Sequence, residues 1–181
     1  MKKQVLLLFS FSLICLHGTT QNLALNPSSE LNSCIPNGVT LSPPDYNNCV
    51  TNWIIPTLGT SDYFHSSSTN TTNDVPANLF GTQAARTGNA YSGIYTYEGP
   101  CDEWREYLRV PLSSPLNIGG NYTAEMYISL CDNCSYVTNN LGMLFTNVAG
   151  PAAGIDCGGP GRGVMSQPAG SQLYQIQFIE L

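Results

Sequence analysis

Apolar and polar residues alternate with a two-residue period along much of this chain. The pattern is clearest in "NYTAEMYISLC", where Tyr122, Ala124, Met126, Ile128 and Leu130 share one predicted face. The run "EWREYLRVPLSSPL" alternates in the same way. Further strands are predicted in "NLALNPSSE", "VTNWIIPT", "NAYSGIYTY", "NNLGMLFTNV" and "QLYQIQFIEL". No stretch has a convincing helical period, so the sequence predicts an all-β, antiparallel β-sandwich.

Two segments between these runs are predicted to be loops. The first, "LNSCIPNGVTLSPPDYNNC", is rich in turn-forming residues. The second spans residues 58–88, has little apolar periodicity and contains a tract of Ser, Thr and Asn. A loop of that length inside a domain is usually functional or mobile.

Residues 1–20 have the features of a secretory signal peptide. Lys2 and Lys3 precede the apolar run "VLLLFSFSLICL", which is too short to span a bilayer, and small and polar residues follow it. Cys15 would be the lipidated residue of a lipoprotein, but Ile14 precedes it where a small residue is expected. We therefore expect one secreted domain over residues 21–181, located outside the cell or in the envelope, with no transmembrane segment after cleavage.

The composition of the predicted mature chain narrows its partners. It has no lysine, and its twelve acidic residues outnumber its four arginines, which gives a net charge of −8. A phosphate backbone would be repelled, which disfavours nucleic acid as a partner. Asn, Ser, Thr, Gly and Pro supply most of the polar character, as in turn-rich extracellular β-proteins.

Six cysteines remain after the signal peptide, an even number that indicates disulfides in an exported chain. Six cysteines allow fifteen pairings. We predict that Cys34 pairs with Cys49, closing the first loop, and that Cys131 pairs with Cys134 within "CDNC".

Several stretches carry a family resemblance: "NLALNPSSE", "GTSDYFH", "VPANLFGTQAARTGNAYSGIYTY", "EWREYLRVPLSSPL" and "EMYISLCDNCSYVTNNLGMLF". Together they resemble the secreted jelly-roll domain that begins many Bacteroidota surface proteins, which is similar to galactose-binding-like, carbohydrate-binding modules. The resemblance implies a jelly-roll sandwich. It also implies a downstream envelope domain, either a peptidoglycan-binding outer-membrane-protein-A-like domain or a gliding-type sorting domain. The family domain continues for several further strands, so we expect a truncated C-terminus after "QFIEL". Ser29 of "NPSSE" stands where such modules have an aromatic residue.

The tyrosines of "GNAYSGIYTY" are the first candidate binding residues. Tyr91, Tyr95 and Tyr97 would point to the same side of a strand. They could form a platform on which a sugar ring stacks, or they could line the core of the sandwich. The sequence leaves both interpretations open.

A second group of candidates surrounds this strand. Arg105 and Tyr107 would share a face and offer a guanidinium beside an aromatic ring, which suits sugar hydroxyls or a carboxylate. Asn89 would add a hydrogen-bonding amide. The predicted function is therefore a non-catalytic, glycan-binding or adhesive module of the cell envelope. The alternative is a structural spacer of a larger surface protein with no sugar ligand.

The sequence gives weaker signals for metal binding and for catalysis. By resemblance, a structural Ca²⁺ would be held by Glu30 with carbonyl groups near Ser92 and Gly93; no other cofactor is expected. We predict no catalytic residues. Glu103 and Glu106 would point to opposite faces of a strand, and the chain has no G-x-S-x-G motif.

Overall fold

The longest strands of the chain form one four-stranded antiparallel sheet. The computed structural model describes residues 21–96, 106–134 and 141–147, together with the backbone of 173–177. Its elements are α1 (Pro43–Asn47), β1 (Asp62–His65), β2 (Ala77–Asn78), β3 (Gly81–Thr82), β4 (Ala90–Tyr95), β5 (Tyr127–Leu130) and β6 (Leu173–Gln177). The sheet has the order β1-β4-β6-β5, and β2 and β3 form a separate two-stranded hairpin. All strand pairs are antiparallel.

Both faces of β1 and β4 are buried. On one face Phe64 lies opposite Tyr91 and packs against Val75 and Phe80, next to the hairpin. On the other face Tyr63 and Ala90 pack against the cluster of Tyr46, Cys49, Val50, Trp53 and Ile55. Residues 46–55 therefore cover one side of this half of the sheet, and residues 75–85 cover the other.

This double burial explains why the predicted loop over residues 58–88 is wrong in part. The segment contains β1 and the β2–β3 hairpin. All four residues of "DYFH" are buried, so the strand shows no alternation of apolar and polar positions. Strand β1 is also only four residues long, too short for periodicity to reveal.

At several of the predicted strands the described chain has only an isolated β-bridge. Ala24 bridges Leu112 and Ile54 bridges Arg109, both antiparallel. The predictions at "NAYSGIYTY" and "QLYQIQFIEL" are confirmed as β4 and β6, and that at "NYTAEMYISLC" is confirmed only over β5. Residues 141–147 of "NNLGMLFTNV" have no strand.

The first predicted loop contains a helix that the periodicity did not reveal. Helix α1 has only five residues and begins with Pro43 and Pro44 after the N-cap residue Ser42. The Asp45 carboxylate accepts hydrogen bonds from the Ser42 N–H at 2.8 Å and the Ser42 hydroxyl at 2.9 Å. Local capping, rather than an apolar stripe, therefore defines this helix.

Two disulfides staple the described chain, and both follow the predicted pairings. Cys34 pairs with Cys49 with a Cα–Cα distance of 4.6 Å, and Cys131 pairs with Cys134 at 5.4 Å. Cys101 and Cys157 lie outside the described residues. Strands with a single five-residue helix confirm the all-β class in the described part of the chain.

No helix among the described residues is both long and apolar enough to cross a membrane. The predicted signal peptide, residues 1–20, lies outside the described residues.

Candidate functional site

The tyrosine stripe of β4 faces the interior in the residues that the structure describes. Tyr91 is 2% exposed and stacks on Phe64, with ring centroids 5.0 Å apart. Its hydroxyl accepts a hydrogen bond from Asn78 Nδ2 at 2.7 Å. Tyr95 is half-buried and meets the Phe80 ring edge-on at 5.8 Å. Both rings belong to the core cluster beside the hairpin, and Tyr97 lies outside the described residues.

The two other predicted ligand residues that the structure describes lie at opposite ends of β4, Tyr107 near Tyr95 and Asn89 far from it. Asn89 is exposed just before β4, and its Oδ1 accepts a hydrogen bond from Ser66 Oγ at 3.3 Å. Tyr107 is half-buried. It lies near the C-terminal end of β4, since the preceding residue, Glu106, donates its N–H to Tyr95 O at 2.7 Å. A six-residue strand separates the two ends by roughly 20 Å. Arg105 lies outside the described residues.

An exposed aromatic site that the sequence analysis missed lies on β5. Arg86 places its guanidinium carbon 4.4 Å from the centroid of the Tyr127 ring, within cation–π distance. Tyr127 is 40% exposed. The segment before Arg86 is fastened to β5 because Ser129 Oγ donates to Gln83 Oε1 at 2.7 Å. The position of Tyr127 on the polar face of "NYTAEMYISLC" was the only available sequence signal for this site.

The three residues proposed for calcium lie in different hydrogen-bond networks. Glu30 Oε1 accepts hydrogen bonds from the N–H groups of Asn89 and Ala90, both at 2.9 Å. Ser92 Oγ is buried and shares a 2.7 Å hydrogen bond with the Tyr46 hydroxyl. Gly93 lies within β4, paired with β1 on one side and β6 on the other.

Gly88 explains why the Glu30 carboxylate can approach β4 so closely. Its φ is +68°, and a Cβ at this position would overlap the Glu30 carboxylate. Glycine thus provides both the left-handed backbone and the space for the carboxylate. Among the described residues, no group of three or more His, Cys, Asp or Glu side chains is arranged to hold a metal ion.

Two buried carboxyl groups form the most unusual electrostatic feature. Asp62 is 2% exposed and Glu106 is 6% exposed. The pKa of Asp62 is raised to about 8, mainly by burial; the N–H and the side chain of Thr40 oppose the shift, and the nearby Glu106 contributes to it. Glu106 lies near Glu103 in the sequence but 44 residues from Asp62, so local spacing does not connect the two buried acids.

The same interior affects two phenols. Burial raises the pKa of Tyr46 and of Tyr63 above their ordinary value, which keeps both hydroxyls protonated. The Tyr63 hydroxyl donates to Ser29 O at 2.8 Å. These groups act as fixed hydrogen-bonding elements of the core.

A cleft of about 380 Å³ lies beside α1, lined by residues 36–39 and by the helix. None of the predicted ligand residues that the structure describes lines it. Comparison of the chain with protein-family models, curated proteins and solved structures found no match. The resemblance to the Bacteroidota jelly-roll domain therefore stays a prediction.

Proposed function

We propose that this chain is an exported, non-catalytic recognition module of the bacterial cell envelope that binds a glycan. Its sheet would form part of a jelly-roll sandwich, and a downstream envelope domain would follow it in the full surface protein. The observation that carries the proposal is the exposed pair of Arg86 and Tyr127, with 4.4 Å between the guanidinium carbon and the ring centroid.

The chemistry of this pair suits a sugar. The exposed part of an aromatic ring offers apolar contact to C–H groups, and the hydroxyl of Tyr127 can exchange hydrogen bonds. The Arg86 guanidinium offers several N–H donors in a fixed plane. Gln83 and Ser129 lie alongside, since they are hydrogen-bonded to each other and Ser129 shares a strand face with Tyr127.

An exported location is compatible with the covalent structure. Two disulfides brace the described chain, and disulfides persist in oxidising compartments. In this proposal the two buried acids have a structural role. Asp62 and Glu106 are 2% and 6% exposed and accept hydrogen bonds from protein groups, whereas the paired carboxylates of a glycosidase flank a substrate cleft.

A glycan-array screen of the oxidised, secreted chain tests the proposal. We expect binding to a defined glycan class, lost in Tyr127→Ala and weakened in Arg86→Ala. Tyr122→Ala is the matched control, because Tyr122 is also exposed, at 45% against 40% for Tyr127. Loss of binding in Tyr122→Ala alone would place the ligand elsewhere and reject the assigned site.

One observation favours the alternative of a structural spacer. Tyr91 and Tyr95, the described members of the tyrosine stripe, belong to a core cluster. A spacer would use its aromatic residues in this way and need no ligand. A folded chain that binds nothing on a broad array would support the spacer and overturn the recognition module.

A further inference from the structure

Two carboxyl groups are enclosed where strands β1 and β4 part. The last paired residues at this end are Asp62 and Gly93. Two residues further along the same register, Thr60 would lie across from Tyr95. At this point Glu106, rather than further strand-to-strand hydrogen bonds, connects the two segments. Because Asp62 and Glu106 are deeply buried, the loss of their hydration must be offset by hydrogen bonds or opposite charge.

Glu106 acts as a clamp between the two separating strands. Its Oε1 accepts hydrogen bonds from the N–H of Thr60 at 2.9 Å and the hydroxyl of Thr60 at 3.0 Å. Its Oε2 accepts one from the N–H of Tyr95 at 2.9 Å. Three donors therefore converge on this carboxylate and offset its negative charge.

Asp62 has much weaker compensation within the described chain. Its Oδ1 accepts one hydrogen bond, from Thr40 N at 2.6 Å. β4 places Gly93 opposite it and adds no titratable side chain there. The segment after β4 contributes Glu106, which carries the same sign of charge.

The hydroxyl of Thr40 lies beside Asp62 in the same buried region. Thr40 is 5% exposed, and its buried Oγ1 has no hydrogen-bond partner of good geometry among the described residues, although it lies close enough to Asp62 to oppose the rise in the pKa of that carboxyl. Burying a hydroxyl without a partner is costly. The Thr40 hydroxyl can donate to an ionised Asp62 or accept from a protonated one, so the like charge of Glu106 and the burial of the site are what favour the protonated form.

We propose that Asp62 carries a proton in the folded protein and that its loss loosens the docking of residues 106–110, so that Asp62 and Glu106 form a pH-sensitive latch. Asp62 keeps its proton to about pH 8 when folded but releases it near pH 3.9 when unfolded. The folded state then binds more protons over this range, so the contribution of Asp62 to stability is fully present below about pH 4 and is lost as the pH rises towards about 8. Each pH unit between these values lowers the folding equilibrium constant by up to about tenfold.

Urea unfolding of the oxidised, secreted chain from pH 5 to pH 9 tests the latch. We expect Asp62→Asn to flatten the pH dependence, because the amide keeps the shape and the acceptor for Thr40 N–H without titrating. Glu125→Gln removes an exposed acid and is the matched control, expected to leave the wild-type slope unchanged. Parallel curves for wild type and Asp62→Asn would overturn the proposal.

Two measurements on the wild-type chain keep the test independent of how well the variant folds. The carboxyl ¹³C resonance of Asp62 should report a protonated group at pH 6; titration near pH 4 would refute it. Amide exchange at Thr60 and Tyr95, corrected for its intrinsic pH dependence, should accelerate between pH 6 and pH 9. Unchanged protection would show that the clamp does not respond to Asp62.

Discussion

The Glu30 carboxylate offers a direct test of how the N-terminal segment is held to the sheet. It accepts two backbone hydrogen bonds, from the N–H groups of Asn89 and Ala90, across about 60 residues of sequence. A hydrogen bond to a charged group contributes about 1.5–3 kcal/mol, and one of these two is exposed and at the weak end of that range. We therefore expect Glu30→Ala to lower the free energy of unfolding by about 2–4 kcal/mol.

The conservative variant sharpens this prediction. Glu30→Gln keeps an acceptor oxygen of similar reach but loses the charge, so we expect a smaller cost of about 1 kcal/mol. Urea unfolding followed by tryptophan fluorescence gives both values, since Trp53 lies in the core cluster on one face of the sheet. Glu125→Ala, at an exposed acid, should stay within about 0.5 kcal/mol of wild type.

Unfolding with and without calcium distinguishes this explanation from the metal site that the resemblance implies. If Glu30 serves as a hydrogen-bond acceptor, the unfolding curve of the wild-type chain should be the same in excess calcium and in EDTA. A metal ligand would behave differently, because bound ligand stabilises the folded state by mass action. Stabilisation by calcium that disappears in Glu30→Ala would refute the hydrogen-bonding account.

Three further changes have expected outcomes. Replacing Cys34 and Cys49 together by Ala should cost about 3 kcal/mol in urea unfolding, as expected for a closed loop with a sequence separation of 15; an unchanged midpoint would contradict a stabilising disulfide. Tyr91→Ala should cost about 3–5 kcal/mol, because it empties a core position, and a loss under 1 kcal/mol would indicate a surface ring. Gly81→Ala should lower the melting temperature, because φ is +130° and a Cβ would come within 2.6 Å of Asp132 Cβ; an unchanged melting temperature would mean that the hairpin relaxes freely.

The sequence could predict those features of the fold that depend on residues close together in the chain. The pairing of Cys131 with Cys134 follows from their closeness in the chain, and the strand at Ala90–Tyr95 follows from its aromatic and branched residues. Helix α1 was missed, although Ser42 and Asp45 carry a capping signal, because five residues are too few to show an apolar period. Strand β1 was missed because burial on both faces removes the alternation that would mark it.

The sequence by itself determined the strand-rich character, the predicted disulfide pairs and an acidic composition unsuited to nucleic acid, since these depend on residue type and short spacing. Only the tertiary structure decided that Tyr91 packs inside, that Arg86 lies over Tyr127, and that Glu106 clamps residues 46 positions away. Contacts between distant segments depend on how loops and strands pack. Alternation along one strand indicates which side chains share a face, but not whether that face meets solvent or another layer.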